Sequence, residues 1–323
     1  MLDIAFTVAT LLISIALLLK TSETAMKSAL KLSRFFGIGE LSVGFILVAV
    51  ATSLPELSVS VISATAGEGA IAAGNIFGSN ISNILLILGA GAFLRGVKIS
   101  NQNMKEIALL LLLTTIVSVY IVFNSYVQQQ ILGIVEGVVL LLIFGGYAYH
   151  TTIHKRNGKQ QKAGKAIAKK EALQAFLLFS AGIAAVMIIS GFVVDSAVRL
   201  ATIAGLANSF IGATFIAVGT SLPELSIFLQ SVSRKRYGLA LGNIIGSNVV
   251  NLTLVLGTAA AINPIVVNVP IFVAALLFAV VANMALLYSA AVNKSMGRFG
   301  GAFFLLFYLV YLVVIFGLQA SEF

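Results

Sequence analysis

Glu56 and Glu224 are the residues of this chain best placed to do chemistry, because each stands in the middle of a long apolar run. An ionised carboxylate at the centre of a bilayer costs about 3 kcal/mol on insertion scales, and such residues persist where they are paired, protonated or lining a wet cavity. No Lys, Arg or His lies within an apolar run to pair with either acid. The neutralising partner is then a proton or a bound cation. Both glutamates carry the same neighbours: TSLPELS at 52–58 and again at 220–226, followed by GNIFGSN at 74–80 and GNIIGSN at 242–248. Pro55 and Pro223 lack an N–H, and their rings clash with the carbonyls of Ala51 and Gly219. Each helix must open there, which frees carbonyls around 49–52 and 217–220 for partners such as hard cations.

The serines and asparagines around these breaks extend the same chemistry. Ser53-x-x-Glu56 and Ser221-x-x-Glu224 match a capping box, so both serines are expected to restart the second half-helix, a role compatible with ligation. Asn75, Ser79 and Asn83 lie at i, i+4 and i+8 on one helix face, and Asn243, Ser247 and Asn251 repeat the pattern. Neutral oxygens of this kind suit Na⁺ or Ca²⁺ and are unsuited to Zn²⁺ or Cu. Hydrogen bonding between helices is the alternative role for the stripe, and coordination is preferred for Asn83 and Asn251, which reach deepest into their spans. Asn80 and Asn248 point off the stripe and read as structural. Gly74-xxx-Gly78 and Gly242-xxx-Gly246 read as close-packing motifs. Should a two-fold relation bring the two acids together, their charges repel unless a cation sits between them, which makes a divalent ion the expected occupant. Two protonated acids bonded across helices are the alternative.

The elements that must position these residues are membrane helices. The chain has 323 residues, 59% hydrophobic and only 10% charged, with mean hydropathy +1.07. A soluble domain carries about a quarter charged residues, so a water-soluble globule and a disordered chain are both excluded. Apolar runs long enough to cross a hydrocarbon core of roughly 30 Å fall near 3–19, 41–66, 71–94, 107–123, 131–149, 172–194, 208–232, 239–262, 269–290 and 299–318. The first run has Asp3 in place of a basic leader region and meets Lys20 with no small-residue cleavage site, so it reads as a span. The absence of cysteine removes disulfides, thiolate chemistry and Cys-ligated metal. Tyr120, Tyr126, Tyr288 and Tyr308 at span ends suit interfacial belts. Glu136 is expected to reach the outer interface or a helix contact, and His150 and His154 to be solvated at the edge of a basic loop.

The net charge of +9 is an orientation signal rather than an invitation to nucleic acid. Nineteen of the 20 Lys and Arg fall in alternate loops on one side, seven of them in residues 150–171, leaving Arg199 on the other. Cytoplasmic loops retain Lys and Arg, which places the central loop inside, both termini outside, and the chain in the cell membrane. Residues 52–89 and 220–257 match without gaps at an offset of 168, with 19 of 38 positions identical. Five spans per half is an odd number, so the second half must be inserted upside down. The expected organisation is a first inverted repeat over 1–149, a basic cytoplasmic loop over 150–171, and a second repeat over 172–323. The fold class is an all-α polytopic membrane protein of ten helices. Inverted repeats with interrupted helices are a transporter architecture whose sites lie near the midplane.

The two segments, taken as 44–89 and 212–257, resemble the alpha-1 and alpha-2 repeats of the sodium/calcium exchanger family within the cation/Ca²⁺ antiporter superfamily. Two TSLPE strings, each followed at the same distance by GNxxGSN, make the resemblance specific. It implies that Glu56 and Glu224 are central ligands and that Ca²⁺ also takes the backbone carbonyls of Thr52 and Thr220. It implies Na⁺ sites drawing on Ala49, Ser53, Ser79 and Asn83 in one half and Ala217, Ser221, Ser247 and Asn251 in the other. The first and sixth spans of the family are held to slide against the remaining bundle. Two departures stand out: Ala51 replaces the Gly retained at Gly219, and Asn251 stands where K⁺-dependent relatives carry Asp. The central loop is too short for the large cytoplasmic domain of animal members, which points to a compact prokaryotic-type exchanger.

What the resemblance implies is Na⁺/Ca²⁺ antiport, with both ions as substrates rather than cofactors, a lipid bilayer as surroundings and no obligate protein partner. H⁺/Ca²⁺ exchange is the alternative, and a cation channel stands behind it. An intramembrane enzyme is poorly supported, since no span holds a Cys, a His or a second acid beside either glutamate.

Overall fold

The computed structural model describes residues 2–37, 40–67, 69–128, 132–153, 168–203, 217–265 and 269–320. His154 and most of the central basic loop fall outside the described residues, as does the side chain of His150. The protein is an all-α polytopic membrane protein with ten membrane helices arranged as two inverted repeats of five. Continuous length and apolarity alone identify six spans, or seven with one helix pair bent by 44° at its break. The remaining three are an Asn101–Gln128 helix, an Ile134–Ile153 helix and the broken span that ends in Leu222–Ser233.

The first span is longer than its apolar run. Helix α1 (Leu2–Phe36) continues through Lys20 because neither Pro nor Gly interrupts it before Gly37, whose φ of +65° ends it. Ala25, Met26, Ala29 and Leu32 form a buried stripe on its second half. After α1 the chain enters a broken span: α2 (Glu40–Val43), a π-helical segment (Gly44–Val48), α3 (Ala49–Thr52) and α4 (Leu54–Thr65). The next span is α5 (Gly69–Ile81), a second π segment (Ser82–Leu88) and α6 (Gly89–Arg95). Strand β1 (Val97–Lys98) leads into α7 (Asn101–Gln128) and α8 (Ile134–Ile153).

The second half repeats the order of the spans. It runs through α9 (Lys169–Ile203), α10 (Ala217–Thr220), α11 (Leu222–Ser233), α12 (Tyr237–Val250), a π segment (Asn251–Val255), α13 (Leu256–Ile262) and α14 (Val269–Asn293). Strand β2 (Ser295–Met296) and α15 (Arg298–Ala320) complete it.

The repeats exchange their last helices. Gly137 of α8 lies against Gly257 of α13, where a Cβ on either would approach the other's carbonyl to 2.7–2.9 Å, and Gly301 of α15 meets Gly89 of α6 in the same way. Short antiparallel clips hold the ends: β1 pairs with β2, and at the other end Leu132 bridges Ile265. The buried apolar residues separate into two clusters. One fills the centre around Phe77, Leu85, Ile244 and Leu256. The other joins α1 to α9 through Ala25, Ala29, Ala175, Phe179 and Ile183, and touches the rest through Val48, Ile227 and Leu239. On the periphery, Phe6, Leu12, Leu306, Leu309 and Val313 are exposed, as expected where lipid is the solvent.

Candidate cation site

The chain breaks in the same way in both repeats. Ser53 leaves helical geometry at φ −83°, ψ 9°, and Ser221 at φ −91°, ψ 7°, each just before a helix with Pro in its first turn. Both half-helices α4 and α11 therefore begin at the break, with Glu56 and Glu224 in their first turns, where the positive end of the helix dipole favours a carboxylate. The capping-box expectation is corrected here: neither serine makes a side-chain cap bond. Each hydroxyl reaches across to the other repeat instead. Ser53 Oγ donates to Glu224 Oε1 at 3.4 Å, and Ser221 Oγ donates to Glu56 Oε1 at 3.3 Å. Donating to a carboxylate turns each hydroxyl towards the opposite repeat, and a charged acceptor makes that bond the stronger kind.

The stripe residues complete the arrangement. Ser79 Oγ donates to Glu56 Oε1 at 3.4 Å, and Ser247 Oγ to Glu224 Oε1 at 3.3 Å. Asn75 and Asn243 donate to the backbone carbonyls of Glu56 and Glu224 at 3.1 and 3.3 Å. Thr52 Oγ1 donates to Asn243 Oδ1 at 3.2 Å, and Ala49 O accepts from Ser53 N at 3.0 Å. Glu56 and Glu224 are buried to 1% and 0% exposure, and Ser53, Ser221, Ser79, Ser247, Thr52, Asn83 and Asn251 are buried with them, while Thr220 is half-buried. The Ala217 side chain lies outside the described set, although its backbone starts α10.

Asn80 and Asn248 perform a role that spacing alone did not reveal. Each donates its amide to the other's backbone carbonyl, at 3.3 and 3.1 Å. Their own Oδ1 atoms then accept from Asn251 Nδ2 at 3.0 Å and Asn83 Nδ2 at 2.9 Å. With both nitrogens held, Asn83 and Asn251 can only turn their oxygens away from this ring. Those residues stand at the start of the two π segments, a backbone irregularity frequent at functional sites. The signal in the sequence was the second Asn of each GNxxGSN string.

The consequence is a set of four buried oxygens without a hydrogen-bond partner: Glu56 Oε2, Glu224 Oε2, Asn83 Oδ1 and Asn251 Oδ1. An unsatisfied buried acceptor costs about 1–3 kcal/mol, so two pseudosymmetric pairs of them fit a group that only accepts electron pairs. Two carboxylates with neutral oxygens are the donor set of a hard cation, and Ca²⁺ would add backbone carbonyls or water to reach six to eight ligands. Among the described residues no three His, Cys, Asp or Glu gather into a transition-metal cluster.

Two other acids, Glu136 and Glu106, bond tyrosines on neighbouring helices. Glu136 makes a helix contact, accepting from Tyr120 OH at 2.5 Å and from Gly133 N at 2.9 Å. Glu106, which the sequence reading passed over, is buried near the start of α7 and accepts from Tyr147 OH at 3.1 Å. Its signal was an acid directly preceding the apolar run of α7.

Comparison with known proteins extends these observations over the whole chain. The family model described as sodium/calcium exchanger protein matches residues 6–153 and 174–317. The putative antiporter CaxA of Alkalimonas amylolytica is 32% identical over 266 residues, 80% of this chain and 81% of that one. The sodium/calcium exchanger MaX1 of Methanosarcina acetivorans is 27% identical over 95% of this chain and 97% of its own. A solved structure of the sodium-calcium exchanger NCX_Mj, soaked with 10 mM Na⁺ and no Ca²⁺, superposes with a TM-score of 0.82 at 25% identity, covering 96% of this chain and 99% of that one. With matched segments that take in both halves and both glutamate-bearing motifs, the chain belongs to the sodium/calcium exchanger protein family.

Proposed function

We propose that this chain is a secondary antiporter that exchanges Na⁺ for Ca²⁺ by alternating access, with Glu56 and Glu224 as shared ligands. The observation that carries the reading is the set of four unpartnered oxygens contributed equally by the two repeats. Asn83 and Asn251 supply the neutral members. Thr52 and Thr220 supply backbone carbonyls to Ca²⁺, and Ser53, Ser79, Ser221 and Ser247, with the carbonyls of Ala49 and Ala217, serve Na⁺. Ala49 O already accepts from Ser53 N, and its second lone pair is open to an ion when the single Thr52 hydroxyl hydrogen points to Asn243 Oδ1 rather than to Ala49 O.

Two carboxylates balance one Ca²⁺ or two Na⁺, and more than two Na⁺ per Ca²⁺ makes transport electrogenic. Both ions need the same glutamates, so neither shares the site fully with the other. An empty, doubly ionised site carries an uncompensated buried charge and crosses poorly, which couples the two fluxes without a long-range pathway. The separate apolar cluster of α1 and α9 suits a pair that slides against the remaining helices. The one-sided distribution of basic residues supports an orientation with both termini outside the cell membrane and the central loop in the cytoplasm.

Ca²⁺ uptake into proteoliposomes tests the reading. An outward Na⁺ gradient is expected to drive uptake. Uptake driven by a pH gradient alone would replace Na⁺ with H⁺ as counter-ion, and uptake without any counter-ion would indicate a channel.

A further inference from the structure

The half-helices that leave the site are not equivalent one turn beyond the glutamate. On α4, Glu56, Ser60 and Ser63 follow at i, i+4 and i+7 along one buried face; on α11 the same positions are Glu224, Phe228 and Ser231. The halves are inverted, so α4 runs from the site towards the membrane face that carries the termini, and α11 runs from it towards the face of the basic loops.

The α4 side is a polar track. Asn75 Nδ2 donates both to Glu56 O at 3.1 Å and to Ser60 Oγ at 3.0 Å, and Asn75 is only half-buried. Ser63, the last hydroxyl of this face, is 9% exposed. The α11 side is apolar at the same level, although Ser60 is as fully buried as Phe228. Phe228 has no exposed surface, and its ring lies edge-on against Gly91 of α6, so closely that a Cβ there would overlap the ring and find Cδ1 and Cζ within 3.2 Å. Gly91 has Ala259 as its counterpart in the repeat, so a bulky residue facing a glycine replaces a hydroxyl and an alanine. Beyond the ring, Ser231 is fully buried and its Oγ has no partner. A hydroxyl on the polar face, sealed behind an aromatic ring and unsatisfied there, fits a pathway that is wetted only when the ring moves.

We infer that Phe228, seated on Gly91, is the plug of the half-pathway on the basic-loop side, and that the site of this conformation is reached along Asn75, Ser60 and Ser63. The inference rests on the antiport reading for its purpose, since only a carrier that opens alternately needs one half-pathway closed while the other is wet. A hydroxyl track on both sides would let ions leak through.

The absence of cysteine from the chain makes the test direct, because a membrane-impermeant thiol reagent reports only on an introduced residue. In membrane vesicles of defined sidedness, Ser63→Cys is expected to label from the face of the termini, while Ser231→Cys stays protected on the basic-loop face. Adding Phe228→Ser is expected to raise Ser231→Cys labelling roughly tenfold or more, as a decade of population shift requires. Gly91→Ala displaces the ring without deleting it and is expected to act in the same direction, which covers the case that Phe228→Ser does not fold. The exchanged pair Ser60→Phe with Phe228→Ser is expected to reverse the labelled side. Ser231→Cys labelling as fast as Ser63→Cys in the parent, or unchanged by both ring-disturbing variants, would overturn the plug. Na⁺-driven Ca²⁺ flux of the parent is measured separately: its absence removes the exchange reading, while the labelling pattern judges the plug.

Discussion

The two glutamate-bearing segments agree at their breaks and differ in the packing beyond them. Ser53 and Ser221 break their helices at almost the same dihedral angles, and each donates to the other repeat's carboxylate. Away from the breaks the likeness ends. Gly242 and Gly246 are pressed against the backbone of the opposite broken span, at Leu41, Gly44 and Phe45, whereas Gly74 meets nothing within 4 Å among the described residues. The close packing expected of the second glycine pair is therefore present. The segment standing in the same relation to Gly74 is 209–220, described only from Ala217. Asn243 is buried and Asn75 half-buried; Ser53 N bonds Ala49 O, while Ser221 N bonds Val218 O, a tighter turn. The same residue types thus recur at the breaks of both halves but are enclosed to different degrees.

The largest expected effect tests the symmetric part of this comparison. Glu56→Gln and Glu224→Gln are each expected to lower Na⁺-driven Ca²⁺ flux at least about 100-fold, since removing one member of a compensated buried charge set costs roughly 3–5 kcal/mol. Both variants should still run as folded monodisperse protein in detergent. A near-normal flux in either one would break the shared-ligand arrangement. Next come Asn83→Ala and Asn251→Ala, expected to weaken Ca²⁺ binding by about tenfold each, the equivalent of roughly 1.4 kcal/mol per lost oxygen. Isothermal titration of the pair reads this, and unequal losses would show that the ion leans towards one repeat.

The asymmetric part is tested by stability. A Cβ on Gly44 would lie 2.5 Å from Leu239 O and 3.0 Å from Asn243 N, both backbone atoms that cannot step aside. Gly44→Ala is expected to destabilise by about 1–3 kcal/mol through overpacking. Thermal unfolding in detergent reads the loss, and an unchanged midpoint would remove the close approach of Gly44 to Leu239 and Asn243. The smallest effect belongs to Ser60→Ala, which deletes the Asn75 bond for about 1 kcal/mol. Its flux is expected to stay within a few-fold of the parent, because Asn75 keeps its bond to Glu56 O.

The break positions, the ten spans and the inversion were legible in the sequence because each follows from a local rule: a ring without an N–H, a length set by the bilayer, an odd number of crossings. Helix α1 was read too short, since Lys20 ended the apolar run but not the helix, whose lower half is held by a stripe on α9 rather than by lipid. The capping role open to the serines is not realised, because a capping box is a pattern within one stretch of sequence and the carboxylates their hydroxyls bond lie 171 and 165 positions away. Asn80 and Asn248 looked like structural residues off the stripe, and they are bonded within the protein, yet that bonding is what orients Asn83 and Asn251.

By itself the sequence determined which atoms are available to an ion: two carboxylates with no buried base, flanking hydroxyls and amides, and carbonyls released at two prolines. Only the tertiary structure decided which of those atoms are left without a partner, because hydrogen-bond satisfaction is settled between repeats. The same holds for access. Ser60 and Phe228 are ordinary membrane-helix residues in the sequence, and the glycine across from the ring is what turns one of them into a seal.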